Sequence, residues 1–213
     1  MKRYFITGTD TDCGKTYVTS QLINYYSNAV ALKPVASGCK NVGNELISSD
    51  AQELIKNNKL DLDLINPWRF ELAVSPNIAA EHEGKSIVIS ELVRYCSQFE
   101  LAGTDTLFIE GAGGLMVPLN NQETWIDFLR LSKISVLVVV GMKLGCINHA
   151  LLTVTALKMH GISCTGWIAN CIDPNMLAFD ENMATLGRFI DAPLLAIVPY
   201  QGAIQIKLND WAS

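Results

Sequence analysis

A short apolar strand, a tight polar turn and a Gly-Lys-Thr triplet follow one another at the start of the chain. Residues 2–16 read KRYFITGTDTDCGKT, and the stretch YVTSQLINYYS after Thr16 has the apolar spacing of a helix. Such a strand–loop–helix unit gathers backbone N–H groups and the positive end of a helix dipole at one point. Lys15 could then reach the β- and γ-phosphates of a nucleotide, and the Thr16 hydroxyl could ligate Mg²⁺. The segment therefore predicts an ATP-binding phosphate loop.

The loop departs from the common pattern G-x-x-x-x-G-K-[ST]. Counting back from Gly14, the position of the first glycine holds Thr9, and Gly8 lies one residue earlier. The alternative is that Gly-Lys-Thr is an ordinary helix start capped by Asp12. The strand before the loop and the helix after it favour ATP binding.

Length, composition and charge restrict the class of protein. A chain of 213 residues suits one α/β domain covering residues 1–213, and 49% hydrophobic with 17% charged residues is globular composition. The net charge of −5 argues against nucleic acid or an anionic membrane as partner. The longest apolar run, ISVLVVVG, is too short to span a bilayer.

The N-terminus and the cysteines bear on the compartment. MKRYFITGTD continues directly into a core strand, so we expect no signal peptide. The six cysteines lack CxxC or zinc-like spacing, which is typical of free thiols in a reducing compartment. Together these features predict a soluble cytoplasmic protein.

Strand-like and helix-like segments alternate along the chain. Strands are predicted at Tyr4–Thr7, Val30–Lys33, Thr106–Glu110, Ile134–Gly141, Cys164–Ala169 and Leu194–Pro199, and helices at 15–26, 86–98, 123–132, 146–159 and 178–190. This alternation predicts a doubly wound, mainly parallel sheet of the P-loop NTPase type. The less regular region 40–80 is expected to hold a short helix after Ser49 plus loops at one edge.

The predicted strands end in polar or glycine-rich segments, which read TGTDTD, KPVASG, EGAGG, GMKLGCIN, ANCI and VPY. Doubly wound sheets bind their ligands at the carboxyl ends of the strands, so we expect the site there. Lys33 ends the second strand and could stabilise charge on a transferring phosphoryl group; the alternative is a solvated lysine. We expect Lys15 and Lys33 at an accessible edge, where their loss would spare folding.

Two carboxylates are candidates for holding a metal. Glu110 ends an apolar strand and is followed by glycines, which allow close approach of a ligand; the alternative is a simple strand end. For Asp50, local sequence favours a structural interpretation, in which Ser48 or Ser49 caps a helix and Asp50 complements its dipole. The oxygens of Thr16, Asp50 and Glu110, together with phosphate, would suit Mg²⁺.

Two later segments are weaker candidates. In KLGCINH the N–H groups of residues 146–148 would point at an anion such as a carboxylate. A catalytic pair of Cys146 and His149 is less favoured than ordinary packing. Asn170 and the segment 199–201 could contact an adenine edge or could equally be loop residues.

In this order, the motifs resemble those of the dethiobiotin synthetase family. The matching segments are YFITGTDTDCGKT, LKPVASG, SSDA, SPNIAAEHEG, IEGAGGLMVPL, VVVGMKLGCINHALLT and GWIAN, which span nearly the whole chain. The loop with Thr9 in the glycine position is itself that family's form. The resemblance implies an ATP- and Mg²⁺-dependent enzyme that joins 7,8-diaminopelargonate and CO₂ into dethiobiotin, with ADP and phosphate as the other products.

The resemblance also implies roles for individual residues and a homodimer whose sites are shared between chains. Lys15, Lys33 and Thr11 would be catalytic, and Thr16, Asp50 and Glu110 would hold Mg²⁺. ATP would be bound by Asp12, Cys13, Gly14, Lys15, Thr16, Tyr17, Asp50, Glu110, Gly111, Ala112, Gly113, Asn170, Cys171, Pro199, Tyr200 and Gln201. The organic substrate would be bound by Ser37, Gly145, Cys146, Ile147 and Asn148.

Two other classes of protein carry related loops. Nucleotide-dependent switch proteins of the chromosome-partitioning or septum-positioning group typically have a second lysine within the loop, where this chain has Thr9, Asp10 and Thr11. Amidotransferase-type synthetases acting on corrinoid acids need a glutaminase domain that 213 residues cannot supply. Both are less favoured than the synthetase.

Overall fold

The computed structural model describes residues 1–43, 45–208 and 211, in which strands and helices alternate. The strands are β1 (Lys2–Gly8), β2 (Ala29–Leu32), β3 (Val35–Ala36), β4 (Lys40–Val42), β5 (Glu45–Ile47), β6 (Trp68–Arg69), β7 (Thr106–Gly114), β8 (Ser135–Met142), β9 (Cys164–Cys171), β10 (Leu194–Val198) and β11 (Gln205–Ile206). The helices are α1 (Lys15–Tyr25), α2 (Ser49–Ile55), α3 (Leu62–Ile65), α4 (Pro76–His82), α5 (Ile89–Gln98), α6 (Trp125–Ser132), α7 (Cys146–Met159) and α8 (Phe179–Phe189).

Seven of these strands form one twisted sheet in the order β11-β10-β9-β8-β1-β7-β2. All neighbouring pairs are parallel except β10 with β11, which confirms the predicted mainly parallel sheet. β1 lies between β7 and β8, where Phe5 pairs with Ile109 on one side and Val136 on the other. β1 is buried from Tyr4 to Gly8 and β8 from Val136 to Met142, as expected for parallel strands that are covered on both faces.

The aromatic core lies against β1 and fixes the neighbouring strand. Phe5 packs on Trp125 and Phe128 of α6, with ring centroids 5.0 and 5.5 Å away. A Cβ atom on Gly111 would lie 2.7 Å from the Phe5 ring. Glycine at this position therefore allows β7 to lie close to Phe5. The prediction that this strand ends at Glu110 is therefore wrong, because β7 continues through the glycines to Gly114.

The region 40–80 is more structured than predicted. The helix expected after Ser49 is α2, and the Ser48 hydroxyl caps it by accepting the Ala51 N–H at 3.0 Å. The same region also contains α3, α4, the two-stranded hairpin of β4 and β5, and the short pair of β3 with β6, none of which the pattern predicts. These pieces lack the long apolar periodicity by which sequence patterns identify helices and strands.

Two further expectations concern the whole chain. All six cysteines are free thiols, as their spacing predicts. In the part of the chain that the structure describes, no helix combines the length and apolar character needed to cross a membrane.

Candidate active site

The phosphate loop connects the end of β1 to the start of α1. Gly14, with φ +83°, is the residue before the helix, and among the described residues no side chain caps its first turn. The alternative that Asp12 is an ordinary helix cap is therefore wrong. The leading N–H groups of the helix are left for an anionic ligand, as in phosphate-binding loops.

Buried contacts with the end of β9 support the phosphate loop. Asn170, at the end of β9, donates its Nδ2 to the carbonyl of Cys13 at 2.9 Å, and Cys13 is fully buried. A Cβ on Gly14 would lie 2.0 Å from that same Nδ2, so only glycine fits above Asn170. Asn170 thus supports the loop, while its predicted contact with the base stays a prediction.

Both lysines of the site are buried, which corrects the expectation of an accessible edge. Lys15 is 6% exposed, and its Nζ donates to the carbonyl of Asp10 at 3.1 Å. Lys33 is 3% exposed, and its Nζ lies 2.7 Å from both Asp50 Oδ2 and Glu110 Oε1. The Lys33 ammonium also donates to the carbonyl of Gly111 at 3.0 Å, so the alternative of a solvated lysine is wrong.

The two carboxylates set the charge state of Lys33. Burial alone would lower the pKa of Lys33, but the negative charges of Glu110 and Asp50 together raise it above its ordinary value. For Asp50 burial alone would raise the pKa, but the Lys33 ammonium and a hydrogen bond from Thr16 lower it below its usual range. Lys33 and Asp50 are therefore both charged at neutral pH.

Glu110 is the fully buried centre of this cluster. Its Oε1 accepts the Thr16 hydroxyl at 2.7 Å as well as Lys33, whereas its buried Oε2 has no hydrogen-bond partner among the described residues. The alternative of a simple strand end is wrong, because Glu110 lies within β7. Asp50 lies in the first turn of α2, as local sequence suggests, and also reaches the site.

The loop and the charged cluster line one cavity of about 310 Å³. Its lining residues are Thr11, Asp12, Gly14, Lys15, Thr16, Lys33, Asp50, Glu110 and Gly113. The structure thus brings together residues from the loop, β2, α2 and β7 that are far apart in sequence.

Two predicted residues, Ser37 and Ala112, are not among the residues that line this cavity and have structural contacts of their own. The Ser37 hydroxyl donates to the carbonyl of Val74 at 2.6 Å. The carbonyl of Ala112 accepts the Trp125 indole N–H at 3.0 Å, so that part of the glycine segment anchors the core.

The segment after β10 is held against α1. The Tyr17 hydroxyl donates to the carbonyl of Gly202 at 3.0 Å, and Gln21 Oε1 accepts the Ile204 N–H at 3.2 Å. Three predicted nucleotide residues, Pro199, Tyr200 and Gln201, form the turn just before this contact, and Cys171 ends β9. They lie at the carboxyl edge of the sheet, but their contact with a base stays a prediction.

The turn between β8 and α7 is open to solvent. Gly145, with φ +93°, precedes the helix, and a Cβ on it would meet nothing within 4 Å. Cys146 is buried, which agrees with packing rather than catalysis, whereas Ile147 is partly exposed and Asn148 is exposed. Beside the helix lies an apolar cavity of about 370 Å³, which His149 and Thr9 of the phosphate loop help to line.

Two sets of site residues were missed from sequence. Asn66 is fully buried, donates to the carbonyl of Lys33 at 2.7 Å and accepts the Ser48 hydroxyl at 3.1 Å, so it joins β2 to α2. Asp10 and Lys143 form an ion pair at 3.0 Å between the loop and the β8–α7 turn. For Asp10 and Lys143, the sequence offered one indication, which is that Lys143 lies at the end of a predicted strand.

Solved structures of the same architecture include MinD cell division protein from Aquifex aeolicus, with TM-score 0.54 and 16% identity, covering 100% of this chain and 86% of that one. A ParA family ATPase from Chlorobium tepidum gives TM-score 0.54 at 15% identity, covering 93% of this chain and 84% of that one. At such identities the likeness concerns the fold alone. Fold and phosphate loop together define a P-loop NTPase-like protein.

Sequence relatives identify the family. A family profile described as an AAA domain matches residues 2–206. ATP-dependent dethiobiotin synthetase BioD of Legionella pneumophila (strain Paris) is 57% identical over 204 residues, covering 96% of each chain. The enzyme of the same name from Pseudoalteromonas translucida is 42% identical, covering 94% of this chain and 91% of its own. The chain belongs to the dethiobiotin synthetase family of ATP-dependent ligases.

Proposed function

We propose that this enzyme converts 7,8-diaminopelargonate, CO₂ and ATP into dethiobiotin, ADP and phosphate, the ring-closing step that forms the ureido group in biotin biosynthesis. The observation that carries the proposal is the buried Lys33 ammonium held beside the phosphate loop by two carboxylates. Family membership supports it, because relatives covering most of the chain are named dethiobiotin synthetases. We also propose that residues 1–213 form one synthetase domain in the cytoplasm, because β1, near the start of the chain, and β11, near its end, belong to one sheet.

The proposed reaction has three steps. One substrate amine attacks CO₂ and loses a proton, which gives a carbamate. A carbamate oxygen then attacks the γ-phosphorus of ATP, so that ADP leaves and a carbamic–phosphoric anhydride forms. The second amine attacks the carbamate carbon, a proton is lost, and the C–O bond to phosphate breaks as the ureido ring closes.

The two lysines meet the charge that grows in these steps. Lys15 lies in the loop beneath the expected position of the β- and γ-phosphates, and Lys33 lines the same cavity. Fixed positive charges in a buried site stabilise a transferring phosphoryl group more strongly than they would in water. Thr11 lines the cavity and would hydrogen-bond the carbamate end of the substrate. Ser37 does not line the cavity and its hydroxyl donates to the carbonyl of Val74, so it would contact the substrate as an acceptor.

Magnesium fits the donor set of the site. The oxygens of Thr16, Asp50 and Glu110 are the hard ligands that Mg²⁺ prefers, and the buried Oε2 of Glu110 has no partner among the described residues. The remaining ligands would come from phosphate and water, because in the described part of the chain no group of three or more His, Cys, Asp or Glu side chains could hold a metal. Bound there, Mg²⁺ would neutralise charge on the triphosphate.

We further propose that the active unit is a homodimer with shared sites. Leu144, two residues before α7, and Leu152, on that helix, are 96% and 63% exposed, and Met116, which lines the same cavity as Leu152, is 57% exposed. Such an apolar surface is typical of an interaction site. The N–H groups that begin α7, at Cys146 to Asn148, would take the substrate carboxylate bound by the partner chain.

The test is ATP turnover measured with and without each substrate. We expect ADP release only when diaminopelargonate and CO₂ or bicarbonate are both present, with dethiobiotin as the product by mass spectrometry. ATP hydrolysis that proceeds equally without them would instead favour a switch ATPase of the partitioning group, which shares the fold. Omitting Mg²⁺ should abolish turnover in the same assay.

A further inference from the structure

An ion pair that the proposed mechanism does not use ties the phosphate loop to the turn before α7. Lys143 Nζ lies 3.0 Å from Asp10 Oδ2. The Lys143 side chain is 38% exposed and that of Asp10 is 42% exposed. The hydrogen bond from Lys143 lowers the pKa of Asp10, so the Asp10 carboxylate is ionised at neutral pH. Asp10 belongs to the loop, whereas Lys143 directly follows β8.

Backbone contacts reinforce this link on both sides. The carbonyl of Asp10 accepts Lys15 Nζ at 3.1 Å, so the same residue contacts the nucleotide lysine. Thr9 donates its N–H to the carbonyl of Val139 at 3.0 Å and accepts the Gly141 N–H on its hydroxyl at 3.3 Å. A shift in the first half of the loop would therefore move the end of β8, and the reverse also holds.

Resting on the proposed function, we propose that Asp10 and Lys143 are positioning residues that couple nucleotide binding at the loop to substrate-tail binding at the β8–α7 turn. Lys143 lies two residues before Gly145, where the helix that would take the carboxylate begins. In a dimer with shared sites this turn serves the partner's substrate. Nucleotide in one site then favours substrate in the other, and linkage makes the effect reciprocal.

The chain offers a control ion pair on α7, the helix that follows Lys143. Lys158, near the other end of α7, forms an ion pair with Asp191 at the same 3.0 Å, but its side chains are 79% and 86% exposed. It joins α7 to the segment after α8, away from the phosphate loop. A general loss of surface charge would affect both pairs, whereas a coupling role belongs to Asp10 and Lys143 alone.

The first measurement is the affinity for Mg·ADP by calorimetry without organic substrate. We expect Lys143→Met and Asp10→Asn each to weaken Mg·ADP binding about fivefold. The double variant should also weaken it about fivefold, rather than by the product of the two single effects. Lys143→Arg should stay close to the parent enzyme, and Lys158→Met should be unchanged. Melting temperatures should differ little, because the pair is half-exposed.

The second measurement compares Mg·ADP affinity with and without saturating diaminopelargonate. The parent protein should bind ADP about fivefold tighter with the diamine, and this gain should disappear in Lys143→Met. Unchanged ADP affinity in both single variants, additive losses in the double variant, or an equal loss in Lys158→Met would overturn the coupling. The first measurement needs no turnover, so it tests the ion pair even if the proposed reaction fails.

Discussion

The phosphate side of the site and the β8–α7 side are built in opposite ways. Lys33 and Glu110 are buried and their charges compensate one another within one chain. On the other side Gly145 faces open space, and Leu144 is almost fully exposed. The phosphate side is part of the core, so changes there should affect stability and chemistry together. Changes at the turn should affect binding without affecting the fold.

The largest effect is expected from Lys33→Met. Turnover should fall by about 10²-fold or more, because a charge that stabilises the transferring phosphoryl group is lost. The free energy of unfolding should also fall by about 3 kcal/mol, because Glu110 stays buried without its counter-charge. ADP release and urea denaturation measure the two effects. Lys15→Ala should cost a similar factor in turnover with a smaller loss of stability, since Lys15 contacts a carbonyl rather than a carboxylate.

A double variant separates the two effects of Lys33. Lys33→Met combined with Glu110→Gln removes both charges, so we expect most of the stability to return while turnover stays low. Near-normal turnover in Lys33→Met would contradict the catalytic role of this lysine.

On the open side, Gly145→Trp should raise the KM for diaminopelargonate by about tenfold or more while ATP affinity changes little, because the indole would block the helix N-terminus. Gly145→Ala is the control, since it carries the strain of φ +93° without the bulk. Steady-state kinetics and ATP titration measure the contrast.

Mixing chains tests the shared site directly. Gly145→Trp mixed with inactive Lys15→Ala should recover part of the activity, because a heterodimer has one site with both halves intact. A fully active monomer, or no recovery despite measured subunit exchange, would contradict sharing.

A smaller effect is expected at the buried amide that supports Lys33. Asn66→Asp replaces the donor to the Lys33 carbonyl by a carboxylate oxygen, and we expect a loss of about 2 kcal/mol in unfolding free energy with reduced turnover. Asn58→Asp is matched, because Asn58 also donates to a backbone carbonyl, that of Ala31 in β2, at 2.7 Å, whereas its contact with α2 is a backbone N–H to the carbonyl of Ile55 at the end of that helix rather than to the Ser48 cap. Equal turnover losses in both variants would argue against a role for Asn66 in positioning the site.

The smallest effect concerns acid stability. The folded pKa of Asp50 lies below its unfolded value of about 3.9, so its contribution is present above that pH and lost as the pH falls through the folded pKa. Asp50→Asn should therefore remove about 1 kcal/mol at pH 7 and flatten the decline below about pH 4, a small effect because Asp50 is 40% exposed. Urea midpoints between pH 3 and 7 measure it. An unchanged acid decline would contradict the ion pair with Lys33.

The raised pKa of Lys33 acts at the other end of the pH range. Its stabilising charge is fully present below the unfolded lysine pKa of about 10.4 and is lost only as the pH rises through the higher folded value. Lys33 therefore adds no pH dependence near neutrality, and any loss below pH 5 must come from carboxylates such as Asp50.

Local patterns predicted most of the secondary structure and the position of the phosphate loop. The predicted helix 146–159 is α7 with the same bounds. The predicted strand Cys164–Ala169 is β9, which continues past Ala169 to Cys171. Lys15 and Thr16 follow from the loop motif, whose strand, turn and helix signals all lie within a few residues. Burial on both faces makes the sheet strands continuously apolar, which is why they are visible in the sequence.

Sequence patterns alone are sufficient to identify the phosphate loop, the parallel sheet and the family. The folded chain was needed to show that β7 continues past Glu110, that Lys33 is buried between two carboxylates, and that Asn66 supports it. It also paired Asp10 with Lys143, which are 133 residues apart. Sequence patterns miss these contacts because the residues are far apart along the chain, whereas periodicity and turn chemistry act over a few residues. Charge pairing, by contrast, depends on which strand ends the folded sheet brings together.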